Sequence, residues 1–217
     1  SNTAVALGKD ITYVKVRSFN RYTGTPMVVI LAKDRFSHYF SEQNPDLKPE
    51  DVKPGNKPMP YIEIVAEMKG SELEGIEYEQ LLPYVKPDGP AFKALLGDFV
   101  STEDGTGIVH IAPTFGADDF RIAKQYGIVP LMVKDEAGNP MPLVDKRGRF
   151  VAEVTDFAGR YVKDYGQVEE HSVDVDIVIK LKEEDKLFGS EKYVHSYPHC
   201  WRTDRPVLYY PLDSWFI

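Results

Sequence analysis

The sequence predicts a β-rich α+β domain. Its 217 residues, 42% of them hydrophobic, are enough for a buried core. Short runs of β-branched and aromatic residues recur between turns that contain glycine or proline, which is typical of strands. Only two segments combine a helical spacing of apolar residues with start and stop signals. Because no internal repeat, low-complexity tract or clear linker interrupts the chain, we expect a single domain.

The first half of the chain is predicted to consist mainly of strands. Residues 11–19 and 26–32 are strand-like and flank the turn RYTGT, which predicts a hairpin. Residues 35–43 predict a short helix, and the five prolines and one glycine of residues 45–60 predict an irregular excursion. Strand character returns at residues 60–70, before a punctuated connector that ends near residue 90.

The second half carries both helical segments. Residues 92–112 predict two strands around the turn STEDGTG, and residues 117–127 predict a helix with acidic residues in its first turn and a glycine at its end. Residues 176–189 predict a second helix with Asp176 as its N-cap. Between the helices, residues 128–170 resemble strands and turns, including EAGNP and KRGRF.

Composition and charge argue against several functions. With 34 acidic and 26 basic residues, the net charge of −8 disfavours a broad basic face for duplex DNA, although it leaves room for contact with one end of an RNA. No run of eighteen apolar residues and no leader pattern occurs, so we expect no membrane association and a cytoplasmic location. The single cysteine, Cys200, excludes an intrachain disulfide framework.

Common catalytic and metal signatures are weak. A G-x-S-x-G elbow is missing, and Cys200 lies next to His199, where neighbours on a strand point to opposite faces. The segment HSYPHCWRTD offers two histidines and one thiol, but the remaining zinc ligands are not close in sequence. A metallohydrolase is therefore the weakest of the functions considered, and no metal is expected.

The strongest functional signal is the stretch GTGIVHIAPTFGADDF, residues 105–120. Glycines allow close approach of backbone to a ligand, and the strand IVHIA alternates its side chains between two faces. His110 and Asp119 could line one pocket there. The structural alternatives are a satisfied core histidine and, for Asp118 and Asp119, a favourable interaction with the helix dipole.

One small basic turn is a candidate RNA contact. KRGRF places Lys146, Arg147 and Arg149 within four residues, where they could contact phosphates. The alternative is that the turn is ordinary solvated surface.

Several ordered segments together resemble a known family. SNTAVALG at the start, LEGIEYEQLLPY at 73–84, GTGIVHIAPTFGADDF and HSYPHCWRTDRPVLYYPLDSWFI at 195–217 resemble the editing domain, connective peptide 1, of isoleucyl-tRNA synthetases. The valyl and leucyl relatives share the GTG turn and the aspartate but typically carry lysine or methionine at the position of His110. The editing domain of a valyl or leucyl enzyme is therefore an alternative that His110 disfavours.

The resemblance implies a fold, a place in a larger protein and a reaction. The fold is a β-barrel-like core with peripheral helices and hairpins. Residues 1–217 would be one editing domain excised from a larger synthetase, with about 195–217 returning toward the catalytic core. The reaction is hydrolysis of valyl-tRNA(Ile) by water, aided by a ribose hydroxyl of the terminal adenosine. The partners are the tRNA(Ile) 3′ end and the rest of the synthetase chain.

The resemblance also assigns residues. Asp119 would pair with the α-ammonium of the substrate, His110 would border its side chain, and Gly105, Thr106 and Gly107 would shape the pocket floor. The domain needs no cofactor, since ATP and Mg serve the catalytic domain, whose HIGH-like and KMSKS-like motifs are missing here. Thr203 stands where some relatives have a zinc-binding cysteine.

The family's threonine-rich peptide, normally just before SNTA, is also missing. A non-catalytic module that binds the tRNA 3′ end is therefore a further alternative.

Overall fold

The computed structural model describes residues 1–55, 57–163, 172–192 and 196–212, and it confirms the β-rich α+β class. Helices within these residues are α1 (Phe36–Tyr39), α2 (Gly70–Leu73), α3 (Ala117–Tyr126) and α4 (Val173–Glu183). Strands are β1 (Ala4–Leu7), β2 (Thr12–Phe19), β3 (Pro26–Ala32), β4 (Phe40–Gln43), β5 (Met59–Tyr61), β6 (Glu63–Lys69), β7 (Lys93–Leu96), β8 (Ile108–Ile111), β9 (Met132–Lys134) and β10 (Pro140–Pro142).

The strands form small open sheets. Their orders are β7-β1-β8, β3-β2-β6, β4-β5 and β10-β9, and no closed barrel is present in the described ranges. The predicted hairpin is confirmed, since β2 and β3 pair antiparallel from Tyr13 opposite Ala32 to Phe19 opposite Pro26. Strand β6 pairs with the other edge of β2. The two strands predicted within residues 92–112 are also confirmed, but they pair with β1 rather than with each other.

Strand β1 is the centre of the sheet that carries the candidate site. It pairs parallel with β7 and antiparallel with β8, so both of its edges are covered. Because side chains alternate along a strand, one face of this sheet packs on α3 and the other packs against the β2–β3 hairpin. The α3 side buries Ala4, Ala6, Leu95, Ile111, Ile122 and Ala123, and the hairpin side buries Leu7, Ala94, Tyr13 and Ala32.

A buried tyrosine joins the hairpin to the turn before β8. Tyr13 is fully buried; its hydroxyl accepts a hydrogen bond from the Gly8 N–H at 2.9 Å and donates one to the Gly107 carbonyl at 2.8 Å. Gly107 has a φ of +73°, and a Cβ added there would lie 2.5 Å from the Cβ of Ala32. Glycine is therefore required at this position by both conformation and space.

The short helix predicted at residues 35–43 is only partly correct. A 3-10 turn at Lys33–Arg35 leads into the single turn of α1, and β4 replaces the second half of the predicted helix. The reason is tertiary packing: Phe40 is buried and its ring lies 5.4 Å from that of Phe36 and 5.9 Å from that of Tyr61. Extended backbone at β4 also allows the parallel pairing with β5.

The second predicted helix is shifted in the structure. α4 begins at Val173, after Ser172 at the N-cap position, and ends at Glu183 rather than near residue 189. Asp176 is not the N-cap, because it lies inside the helix and its carboxylate binds the Arg160 guanidinium at 2.5 Å.

Helix α3 matches its prediction, and Gly127 ends it with a left-handed conformation. Between the helices, β9 and β10 form a hairpin around EAGNP, whereas positions 164–170 lie outside the described residues. Of the predicted returning segment, position 195 and positions 213–217 also lie outside them. No helix in the parts that the structure describes is long and apolar enough to cross a membrane.

We predict that Tyr13→Phe lowers the free energy of unfolding by about 1–3 kcal/mol, because the buried Gly8 N–H and Gly107 carbonyl lose their partner. Urea unfolding measures the change, and Tyr209→Phe, at an exposed tyrosine, is the matched control. Equal stability of the two variants would show that the hydroxyl does not hold the turn.

Candidate active site

His110 lies on β8 at the edge of the central sheet. It pairs with Val5 of β1, and its side chain is exposed. Thr3 extends the alternation of β1, and its N–H donates to the Ile111 carbonyl at 2.9 Å. By this alternation, Thr3, Val5 and His110 share one face of the sheet. The histidine is therefore not a satisfied core residue.

Asp119 is held where β8 ends and α3 begins. Its Oδ2 accepts a hydrogen bond from the Ala112 N–H at 2.7 Å, and the side chain is half-buried. Gly116 makes this possible, because a Cβ there would lie 2.9 Å from the Asp119 carboxyl carbon. One carboxylate oxygen thus fixes the loop, and Oδ1 forms no hydrogen bond with the residues that the structure describes.

Asp118 points in a different direction, as the 100° step of a helix predicts. It is exposed, and its carboxylate lies 3.4 Å from the Arg121 guanidinium. The two neighbouring aspartates therefore have separate environments, which makes Asp118 a matched control for Asp119.

His110 and Asp119 are close enough to interact electrostatically. Partial burial by neighbouring groups lowers the pKa of His110 although the residue lies at the surface, and the Asp119 carboxylate acts in the opposite direction by raising that pKa. The net pKa of His110 is below its ordinary value. The imidazole is therefore neutral at pH 7, beside an acidic residue that can attract a cation.

Two buried threonine hydroxyls near this end of the sheet have unused hydrogen-bonding capacity. Thr3 is 0% exposed and Thr114 is 7% exposed, and neither Oγ1 has a partner among the residues that the structure describes. Next to Thr3, Asn2 accepts a hydrogen bond from the Tyr78 hydroxyl at 2.6 Å. Sequence analysis did not identify these residues. A short apolar run such as AVAL lacks the alternation of apolar and polar residues that predicts a strand.

The glycine turn lies at the opposite end of β8. The Gly105 carbonyl accepts from Arg35 Nε at 2.9 Å, and the Thr106 carbonyl accepts from the Ala32 N–H at 2.8 Å. Four strand residues separate this turn from Ala112, a rise of about 13 Å. The structure places the Asp119 carboxylate on the backbone two residues after His110, within electrostatic range of the imidazole. It ties Gly105 to Arg35, and Thr106 and Gly107 to the hairpin, so the role of these three residues as a pocket floor stays a prediction.

In the basic turn KRGRF, one cationic side chain is held by an ion pair and the other two are exposed. Arg149 forms two hydrogen bonds with Oδ2 of Asp145, from Nε at 3.1 Å and from Nη2 at 2.9 Å. Lys146 and Arg147 are exposed, and their side chains have no ion pair within the described ranges. They are the two side chains of this turn that are free to contact a phosphate.

Cys200 belongs to a tight turn. Its carbonyl accepts from the Thr203 N–H at 3.2 Å, and the hydrogen bond with the Thr203 side chain is the largest of the effects that lower the pKa of the thiol. His199 Nδ1 lies 2.8 Å from the Tyr197 carbonyl. In the part of the chain that the structure describes, no three histidine, cysteine or acidic side chains form a group that could hold a metal ion.

We predict that Asp119→Asn lowers the pKa of His110 further, because it removes the negative charge that favours the imidazolium form. An NMR titration of the histidine ring measures this shift. Asp118→Asn should change the pKa of His110 less, and equal shifts in both variants would show that Asp119 does not face the histidine.

Comparisons with known proteins identify relatives over the whole chain. No family model matches. The chain is 58% identical over 231 aligned positions to "Isoleucine--tRNA ligase" of Cytophaga hutchinsonii and 48% identical over 237 positions to that of Bacteroides fragilis. Each alignment covers 100% of this chain and 21% of the relative, so the chain spans about a fifth of their length.

Among solved structures, "The crystal structure of GlLeuRS-CP1" aligns with a TM-score of 0.46 and 16% identity, over 88% of this chain and 78% of that chain. The sequence relatives confirm the resemblance to isoleucyl-tRNA synthetases. Over its whole length, the chain is homologous to one segment of the isoleucine–tRNA ligases.

Proposed function

We propose that this chain is the editing domain of an isoleucine–tRNA ligase and hydrolyses the ester between valine and tRNA(Ile). The observation that carries the proposal is the juxtaposition of His110 and Asp119, on β8 and α3, in a chain homologous throughout to these ligases. Isoleucine and valine differ by one methylene group. An apolar pocket can discriminate between them by only about 1–3 kcal/mol of binding free energy. A second, hydrolytic site with a different size limit supplies the remaining discrimination.

Asp119 orients the substrate in this proposal. Its Oδ2 is occupied by the Ala112 N–H, so Oδ1 pairs with the α-ammonium of the esterified amino acid. An ammonium fixed there places the ester carbonyl in one orientation relative to the attacking water. Asp119 binds and positions, while water is the nucleophile.

His110 limits the size of the side chain that can enter. A neutral imidazole does not repel the substrate ammonium, and its lowered pKa keeps it neutral at physiological pH. Its ring would exclude the additional methylene of isoleucine by steric repulsion. The correct product thus avoids hydrolysis.

Water, aided by a ribose hydroxyl of the terminal adenosine, completes the chemistry. The reaction needs no metal or organic cofactor from this chain. The larger ligase would supply ATP- and Mg-dependent activation of the amino acid elsewhere, and it would hold most of the tRNA.

A second candidate function is a binding module that docks the tRNA 3′ end without catalysis. It is favoured by the structural hydrogen bond of Asp119, because a carboxylate that organises a loop need not bind a substrate. The editing domain of a valyl or leucyl enzyme is the other alternative; the relatives named above are both isoleucine enzymes.

We predict that Asp119→Asn in the full ligase slows hydrolysis of valyl-tRNA(Ile) by about 30- to 4,000-fold, the equivalent of losing about 2–5 kcal/mol from a partly desolvated ion pair. Asparagine retains an oxygen for the Ala112 N–H, so the loop is kept while the charge is lost. A deacylation assay measures the rate.

Isoleucine activation is expected to be unchanged in the same variant, and Asp118→Asn should edit normally. Normal editing by folded Asp119→Asn would show that its charge does not bind the ammonium and would favour the binding module.

We predict that His110→Ala in the full ligase makes the site hydrolyse isoleucyl-tRNA(Ile), because relief of a clash worth about 1–3 kcal/mol raises that rate roughly 5- to 150-fold. His110→Gln, with a side chain of intermediate size, should give a smaller increase. If His110→Ala only lost valyl-tRNA hydrolysis, the histidine would support catalysis or structure rather than size selection.

A further inference from the structure

Strand β1 brings one side chain to the surface, and it does so next to His110. Of residues 3–7, all of which the structure describes, Val5 is half-buried and the other four are at most 2% exposed. Val5 lies directly opposite His110 in the antiparallel pair of β1 and β8. Side chains at such positions have Cβ atoms about 4.5–5.5 Å apart. The surface beside the imidazole is therefore formed in part by the methyl groups of Val5.

Backbone pairing on both edges of β1 fixes the position of Val5. On the side away from His110, Val5 pairs with Ala94 of β7, which is 6% exposed. Val5 also packs against the buried cluster that includes Tyr13 and Ala32 of the hairpin. Because a closely packed side chain has little freedom to move, the Val5 methyl groups offer a ligand a surface of fixed shape.

The contribution of β1 to this surface is apolar. Thr3 is the next residue along the same face, and it carries a hydroxyl. That residue is 0% exposed, so its Oγ1 lies beneath the surface, where it has no partner among the residues that the structure describes. A ligand beside His110 thus meets methyl groups from β1 rather than a hydroxyl.

An amino-acid ester bound as proposed above lies over both residues. With its ammonium at Asp119, one branch of its side chain contacts the imidazole of His110 and the other contacts Val5. A hydroxyl on the second branch would leave water without gaining a hydrogen bond from Val5, which is unfavourable. Valine and threonine have nearly the same shape and differ in this group. Contact with Val5 therefore distinguishes them by polarity rather than by size.

We infer that Val5 is a specificity-determining residue of the candidate active site and makes it select apolar over hydroxylated side chains of equal size. This inference rests on the proposed function, which supplies the orientation of the ester. His110 limits the length of the side chain, and Val5 determines its polarity. The two strands thus contribute separate criteria to one site.

The test compares valyl-, threonyl- and isoleucyl-tRNA(Ile) as substrates of the full ligase, with kcat and KM of deacylation measured separately. The unmodified ligase should favour the valyl over the threonyl ester by up to about 100-fold, the limit for a hydroxyl in an apolar pocket. Val5→Thr introduces a hydroxyl in nearly the same volume. It should reduce this preference about 2- to 10-fold, the effect of one hydrogen bond, and still exclude isoleucine.

A second variant changes size without changing polarity. Val5→Ile adds one methylene and should slow hydrolysis of valyl-tRNA(Ile) about 10- to 200-fold. The ester of 2-aminobutyrate, which is one carbon shorter than valine, should be affected less. This pattern of substrates is not expected from a general loss of stability, which would slow all esters equally.

Val109 provides the matched control. It is 37% exposed and directly precedes His110 on β8, but it pairs with Ala6 on the face that packs against α3. Val109→Thr and Val109→Ile make the same chemical changes on the opposite face of the sheet. Both variants should retain the substrate preferences of the unmodified ligase.

Binding is measured separately from hydrolysis by NMR of this chain with a non-hydrolysable valyl-adenosine ester analogue. Nuclear Overhauser effects should connect the methyl groups of the ligand with those of Val5 and with the His110 ring. Binding of the analogue at His110 and Asp119 without contact to Val5 would overturn the inference and leave the proposed function intact.

The kinetic outcomes separate the two claims in the same way. Equal rates for valyl and threonyl esters in the unmodified ligase, or an unchanged ratio in folded Val5→Thr, overturn the role of Val5 even if editing is normal. Equal changes in Val109→Thr and Val5→Thr also overturn it. If the unmodified ligase hydrolyses none of the esters, the proposed function itself is wrong, and the role of Val5 is overturned with it.

Discussion

Backbone pairing along both edges of strand β1 is the constraint on which the candidate site depends. Four residues, Ala4–Leu7, align a parallel neighbour and an antiparallel neighbour that come from distant parts of the sequence. This pairing sets His110 opposite Val5 and places Thr3 on the same face. A slip of one residue would turn the histidine toward α3 and away from solvent.

The central position of β1 also explains why packed elements cover both faces of the sheet that carries the candidate site. Helix α3 covers one face of the central sheet, and the hairpin covers the other through Tyr13 and the turn at Gly107. The Asp119 carboxylate accepts a hydrogen bond from the Ala112 N–H and so connects the start of α3 to the end of β8. The carboxylate is fixed by backbone contacts rather than by another side chain, so its free oxygen faces a position determined by the fold. Such preorganisation suits orientation of a charged group.

Local patterns predicted the elements whose stability is local. The β2–β3 hairpin follows from two runs of β-branched and aromatic residues around a turn, and α3 follows from acidic residues in its first turn and a terminal glycine. β1 was missed, because a fully buried strand of four residues has no alternation, and β4 was missed because Phe40 is drawn into an aromatic cluster by tertiary packing. Asp176 was misassigned as an N-cap, since its partner Arg160 is sixteen residues away in sequence.

The residues of the candidate site also fall into those that local sequence patterns predict and those that depend on tertiary packing. His110 and Asp119 stood out as ionisable groups in an apolar, glycine-rich stretch, whereas Thr3, Thr114 and the space at Gly116 are recognisable only from burial and distances. The central claim is that Asp119 binds an ammonium beside a neutral His110. A crystal structure of the chain with a non-hydrolysable valyl-adenosine ester analogue tests it most directly. The amino nitrogen is expected about 3 Å from the Asp119 carboxylate, with the valine side chain against His110. An amino group bound elsewhere, with Asp119 bonded only to Ala112, would contradict the account.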